Sequence, residues 1–466
     1  MQEDTIAAIS TPPGTGGIAV IRVSGPAAVP LVAPLFQHAE RLQRARSHRA
    51  LVGLLLDRPG GEVLDQVVAT VFRAPNSYTG EDVVEISCHG GRYLAQLVLE
   101  AVLNRGARLA EPGEFTRRAF LNGRIDLAQA EAVADLIQAR TKESVKYAAR
   151  QLRGGISRHI RSFQKRLLAL LARLELELDF AEEEVELVPR EELRGELERL
   201  LQEITRLVRT YRTGRMIRDG VRVVITGKPN VGKSSLFNAL LGFERAIVDE
   251  TPGTTRDAIE AQLDIGGTLF RLIDTAGMRQ TAERIERKGM AVARSHLEQA
   301  DLVLLLLDAS APLTEEDTGL IERVKEIEAA RNGEGPDGVV IWNKIDLLPG
   351  GAPRRENPLG WTELRLSAKT GAGLDSLHGF LSRYVQVEKA IEEGQEEMVT
   401  SLRHQRALLK AGAALKRSLQ GLERELSGEF IALDVREALD AVGEITGRTT
   451  PEDVLNYIFD HFCIGK

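Results

Sequence analysis

The chain has 466 residues, 43% of them hydrophobic and 28% charged, with a formal net charge of −7, which suits about three globular domains of roughly 150 residues each. Its apolar runs, such as "LVLLLL" at 302–307, fall far short of a membrane span, and the acidic start "MQEDTIAAIS" lacks a signal-peptide pattern. Only two cysteines occur, Cys88 and Cys463, which excludes a disulfide framework and points to a reducing, cytoplasmic setting. A net negative charge confines any nucleic-acid contact to local basic patches.

From the N-terminus, "GGIAVIRVSG", "DQVVATVFRAP" and "EDVVEISCHGG" read as strands, and "RYLAQLVLEAVLNRG" as a helix closed by glycine. Residues 1–120 thus form an α+β unit. From 121 to 215 the apolar residues recur every three or four positions, as in "LAQAEAVADLIQARTKESVKYAARQL" and "IRSFQKRLLALLARLELELDF", with Pro189 the one interruption. These are amphipathic helices, and the texture returns over 385–466. Between them, over 216–384, the strands "VRVVITG", "FRLID", "DLVLLLLDAS" and "GVVIWNK" alternate with helical stretches, the pattern of a mainly parallel sheet with covering helices. The economical arrangement is an α/β domain inserted into a helical one.

"GKPNVGKSS" (227–235) lies between a strand and a helical stretch and fits the phosphate-loop pattern in its required context. Backbone N–H groups from Asn230 to Ser235, including Val231 and Gly232, wrap phosphates there; Lys233 supplies a point charge and the Ser234 hydroxyl a Mg²⁺ ligand. "DTAG" (274–277) follows a strand, so Asp274 suits the Mg²⁺ water shell and the Gly277 N–H the γ-phosphate, beside Thr275 and Ala276. "NKID" (343–346) supplies a carboxylate, Asp346, for the paired N–H donors of guanine, braced by Asn343 and Lys344. "SAK", Ser367, Ala368 and Lys369, completes the base pocket. Guanine rather than adenine is the expected base. In "DETPGTTRD" (249–257), a polar switch loop, Thr255 is the natural second Mg²⁺ ligand and Thr254 its close competitor. Met278 stands where many GTPases carry a water-orienting glutamine, so hydrolysis needs another source of that function.

These motifs, with "TPPGTGGIAVIRVSG", "NSYTGEDVVEISCHGG", "EPGEFTRRAFLNGRIDLAQAEAVADLI" and a terminal "FCIGK", resemble the MnmE (TrmE) family of tRNA-modification GTPases over essentially the whole chain. The resemblance implies an N-terminal folate-binding-like domain that makes a homodimer and a helical domain carrying an inserted GTPase domain. It also implies an FAD-containing partner, MnmG, with which aminomethyl or carboxymethylaminomethyl groups are built at C5 of the wobble uridine of certain tRNAs. The one-carbon unit comes from 5-formyl- or methylene-tetrahydrofolate.

The resemblance further implies K⁺ held between paired GTPase domains by Asn230 and backbone carbonyls of Asp249, Thr251 and Thr254. Read from the residues alone, Asn230 is also a residue that favours a turn. Glu286 matches the family's water-positioning glutamate; Glu283 is equally placed in sequence. For folate the matching positions are Arg22, Glu85, Arg124 and Lys466. Cys463 is either a small buried residue ending a helix or a group near one-carbon transfer. Asp249 and Pro252 depart from the small or neutral residues expected in the switch loop. His89, before two glycines, reads as a turn residue. The basic stretches 158–166 and 206–222 read as solvated helix faces before phosphate contacts. Of two other readings, a ribosome-assembly GTPase lacks a use for the N-terminal blocks and the "FCIGK" ending, and a non-enzymatic scaffold that binds GTP only to change shape is the one that a slow turnover insensitive to K⁺ would favour.

Overall fold

The computed structural model describes residues 4–179, 189–243, 259–274, 294–330, 337–348, 357, 359–391 and 397–465. By contact, the chain divides into two compact units, one of residues 1–137, 149–204 and 406–466, the other of residues 138–148 and 205–405.

The first unit contains a six-stranded sheet in the order β3-β4-β5-β2-β1-β6. Its strands are β1 (Ile6–Ile9), β2 (Ile18–Ser24), β3 (Arg49–Leu56), β4 (Val63–Phe72), β5 (Val83–His89) and β6 (Arg108–Leu109). Only the β1/β6 pair is parallel. In β2, Ala19, Ile21 and Val23 are buried while Ile18, Val20 and Arg22 are not. That period-two alternation is what half-buried pleat geometry requires. Ala95, Val98 and Val102 of the helix Arg92–Leu103 join the same core as Ile21, Val84 and Ile86. Beside the sheet lies a helical layer in which Gly155–Asp179 packs on Gly428–Thr446. Its buried residues Ile431, Val435, Ala438, Val442 and Ile445 recur at alternating steps of four and three, the stripe one helix face presents.

The second unit holds a sheet in the order β12-β11-β10-β7-β9-β8, made of β7 (Val221–Thr226), β8 (Ile259–Ile265), β9 (Thr268–Asp274), β10 (Leu302–Asp308), β11 (Asp337–Asn343) and β12 (Thr362–Arg365). All neighbours are parallel except the β8/β9 hairpin, an antiparallel edge. Every residue of β10 is buried, which is why it reads as an unbroken apolar run rather than an alternation. The carboxyl ends of β7, β10 and β11 are Thr226, Asp308 and Asn343. Open α/β sheets take ligands outside such strand ends. Among the described residues no helix is long and apolar enough to cross a membrane.

Candidate functional site

In the second unit, β7 runs into the 227–232 loop and then into the helix Lys233–Phe243. Asn230 takes a left-handed conformation at φ 60°, with its side chain exposed, a geometry asparagine tolerates better than most residues. Lys233 is buried, and its Nζ donates to the carbonyls of Gly227 and Lys228, each at 2.8 Å. The ammonium thus stays inside the loop where phosphate oxygens bind in such motifs. Ser234 and Ser235 stand exposed on the first helical turn, and Val231 is buried.

Three loops converge through one side chain. Asn343, 2% exposed, donates from Nδ2 to the Val231 carbonyl at 2.7 Å and accepts the Ala368 N–H on Oδ1 at 2.9 Å. The phosphate loop and the "SAK" loop are therefore held by the same carboxamide. Gly232, φ 105°, has to be glycine: a Cβ there would lie 2.2 Å from Asn343 Nδ2. Ser367 is fully buried, its Oγ accepting the Thr370 N–H at 3.2 Å, and Lys369 is exposed. Asp346 sits exposed in the short 3₁₀ turn Ile345–Leu347, free to meet a base from solvent.

Two residues that motif reading missed complete the arrangement. Lys344, in a left-handed conformation at φ 68°, donates to Asp308 Oδ2 at 2.7 Å. Burial opposes ionisation of Asp308, yet hydrogen bonds from Lys344 and Ser310 outweigh it and hold the carboxyl below its ordinary range. Lys228 donates to Asp317 Oδ2 at 2.7 Å, and Asp317 is held low in the same way by Lys228 and Thr314 against burial. Their only sequence signal is an acidic residue ending a buried strand and one in the first turn of the next helix. Asp274 closes β9, but its side chain lies outside the described residues, as do Thr275, Ala276, Gly277, Met278, Asp249, Thr251, Pro252, Thr254, Thr255, Glu283 and Glu286.

In the first unit, Arg22 and Glu85 face each other across β2 and β5. Arg22 Nε donates to Glu85 Oε1 at 2.9 Å, and its guanidinium lies over the rings of Tyr78 and Phe115 at 5.3 and 5.6 Å. Arg124 is exposed; with Phe120, Gln164 and Arg448 it lines a cavity of about 370 Å³. The tail docks onto this unit. Ile464 bridges to Pro112, and Ser10 Oγ donates to the Gly465 carbonyl at 3.0 Å.

The structure differs from two expectations. Cys463 is exposed and lies beyond the helix Glu452–Asp460, so it is not a buried helix-ending residue; Phe459 and Phe462 fill that core instead. Cys88 is the buried thiol, raised by its burial. His89 ends β5 rather than sitting in a turn, with Nδ1 2.8 Å from Asp65 Oδ1. The basic stretches are solvated helix faces as expected, with Arg158, Arg161, Lys165, Arg206, Arg209, Arg212 and Arg218 exposed and several of their arginines in ion pairs, Arg161 with Asp126, Arg166 with Glu196 and Glu203, Arg212 with Asp337 and Arg215 with Asp301. Lys466 lies outside the described residues.

A family model described as the MnmE helical domain matches residues 127–463, and one described as the GTP-binding protein TrmE N-terminus matches residues 5–124. The chain is similar to proteins named tRNA modification GTPase MnmE. That of Moorella thermoacetica is 44% identical over 473 residues, covering 100% of both chains. That of Chlorobium phaeobacteroides is 45% identical over 474 residues, covering 100% of this chain and 98% of its own. That of Salinibacter ruber is 45% identical over 472 residues, again covering 100% of both. With a strand–loop–helix phosphate site tied through Asn343 to a guanine motif, and relatives matching from end to end, the chain belongs to the MnmE family of tRNA-modification GTPases.

Proposed function

We propose that this chain hydrolyses GTP in a K⁺-dependent cycle and, as a homodimer working with the FAD-containing MnmG, modifies C5 of tRNA wobble uridines with a folate one-carbon unit. The observation that carries the GTP reading is Asn343 joining the phosphate loop to the "SAK" loop, so that the two ends of a nucleotide are received by one rigid assembly.

The residues fit the implied groups. Lys233, already surrounded by carbonyl oxygens, exchanges them for β/γ-phosphate oxygens. Ser234, exposed at the helix start, offers its hydroxyl to Mg²⁺, with Thr255 or Thr254 as the second protein ligand. Asp346 accepts the guanine N–H pair. Asn230 presents its carboxamide to solvent beside the phosphates, which supports it as a K⁺ ligand with the backbone of Asp249, Thr251 and Thr254. A monovalent cation there supplies the positive charge that an arginine finger supplies elsewhere. Glu286 orients the attacking water in place of a glutamine, since Met278 cannot.

For folate, Glu85 offers acceptor oxygens to pteridine N–H donors, and Arg22, Arg124 and Lys466 complement the glutamate tail. Support comes from Arg22 and Glu85 lying on adjacent strands and from the tail docking at Ser10, two residues from Ala8, which pairs with Arg22. Cys463 is then exposed on that docked tail as a candidate for the transfer chemistry. Replacing K⁺ by Na⁺ should slow GTP turnover by at least about tenfold, and wobble uridines from cells lacking the protein should lose the modification by mass spectrometry. Equal turnover in the two salts overturns the cation reading; intact wobble uridines overturn the tRNA one.

A further inference from the structure

We propose that Asp317 is a positioning residue for the phosphate loop, acting through Lys228. Asp317 lies in the first turn of the helix Glu315–Ala330, where an anion is favoured by the helix dipole, and is 1% exposed. Its Oδ2 accepts three hydrogen bonds, from Lys228 Nζ at 2.7 Å, the Thr314 N–H at 2.9 Å and Thr314 Oγ1 at 2.8 Å. Its Oδ1 is buried with no hydrogen-bond partner among the described residues. A carboxylate held in this way is a fixed post.

Lys228 is tethered at both ends. Its side chain is rooted in Asp317, and its backbone carbonyl is one of the oxygens that receive the Lys233 ammonium. Two residues further on, Asn230 turns the loop through its left-handed conformation. Moving Asp317 therefore moves the loop carrying both groups that face the phosphates. The segment supplying Asp317 also supplies Asp308, which holds Lys344 at 2.7 Å. Residues 308–317 thus reach the phosphate end and the base end of the site while containing none of the nucleotide signatures.

An exposed ion pair contributes little. This one is buried, and buried pairs are weak evidence for stability because apolar replacements often match them. The arrangement makes sense as a device that fixes where the loop sits. The inference rests on 227–235 being the phosphate loop of a GTP site, so wild-type binding of GDP is the control for that reading.

The test uses the full chain, fluorescent GDP titration, ADP competition and thermal unfolding. Asp317→Asn should weaken GDP binding about tenfold or more, as breaking a buried charged pair does, leaving the preference for GDP over ADP unchanged. Asp308→Asn, acting at the other end, should lower that preference. The decisive variant is Lys228→Met/Asp317→Leu, which removes both charges together: it should unfold close to the wild-type temperature yet keep weakened GDP binding. Wild-type affinity in the double variant, or in a folded Asp317→Asn, overturns the proposal, because the pair would then only neutralise a buried charge. Failure of the wild type to bind GDP instead overturns the nucleotide reading on which the proposal stands.

Discussion

Asn343 Nδ2 lies 2.7 Å from the Val231 carbonyl, and Gly232, next in the chain, leaves room for that approach and nothing more. The 227–232 loop and the 367–369 loop are mechanically one structure. Asn343→Ala should lower the unfolding temperature and weaken GDP binding together, since each buried partner left unpaired costs roughly 1–3 kcal/mol. Gly232→Ala should abolish GDP binding, as its methyl group would enter the space of Nδ2. Fluorescence titration with calorimetry checks both; unaltered affinity in either variant contradicts the coupling.

Asp346 gives the opposite expectation. It is exposed and packs no core, so Asp346→Asn should change stability by no more than about 0.5 kcal/mol. Guanine preference should nevertheless collapse, because an acceptor pair becomes one acceptor and one donor group. Competition between GDP and ADP reads this directly.

The tail is expected to separate the two activities. Gly465, φ 95°, brings its Cα so close to β1 that a Cβ would lie 2.3 Å from the Ile9 carbonyl. Gly465→Ala should lift the tail from the sheet. Cys463→Ser should leave it docked and the fold unchanged, since the thiol is exposed. Both should abolish wobble-uridine modification measured by mass spectrometry while GTP hydrolysis stays near wild type. Full modification with Cys463→Ser would remove the thiol from the chemistry.

Acid should loosen the first unit at a known place. Burial raises the Glu114 carboxyl, but hydrogen bonds from Arg108, the Glu111 N–H and Arg118 outweigh it and leave the group below its ordinary range. A carboxyl lowered on folding stabilises the fold above its unfolded value of about 4.3, and that contribution is lost as pH falls through the lower folded value. Hydrogen exchange in the helix Glu114–Leu121 should therefore accelerate relative to the rest of the unit as pH drops below about 4. Glu114→Gln should speed exchange already at pH 7 and flatten this acid response. Equal pH dependence in the two proteins would exclude Glu114 as its source.

The nucleotide motifs were legible because each is local: a loop, a strand end and a turn, with residue types dictated by phosphate and guanine chemistry. The amphipathic spacing of Gly428–Thr446 and the apolar run of β10 likewise announced their elements. What stayed hidden was tertiary. Nothing in "LTEED" tells that Asp317 meets a lysine 89 residues earlier, and nothing around Cys463 tells that Phe459 and Phe462 take the core positions and leave the thiol outside. The antiparallel β8/β9 hairpin was legible as well, in the alternation of "IEAQLDI" and the two-glycine turn at 266–267, but a reading built on the parallel strands passed over it.

The Gln164–Thr446 hydrogen bond joins residues 282 positions apart, and this span has a consequence for biosynthesis. At about 5–20 residues per second on the ribosome, roughly 15 to 55 seconds separate the appearance of the two partners. Residues 205–405 emerge within that interval and have nearly all their own sheet partners at hand. The 155–179 helix has partners at 126, 151 and 192–203 within reach, but the helix it packs on most, 428–446, arrives last. The packing of this helical layer is therefore completed only near the end of synthesis, and slow codons beyond position 405 would delay it without altering a single residue.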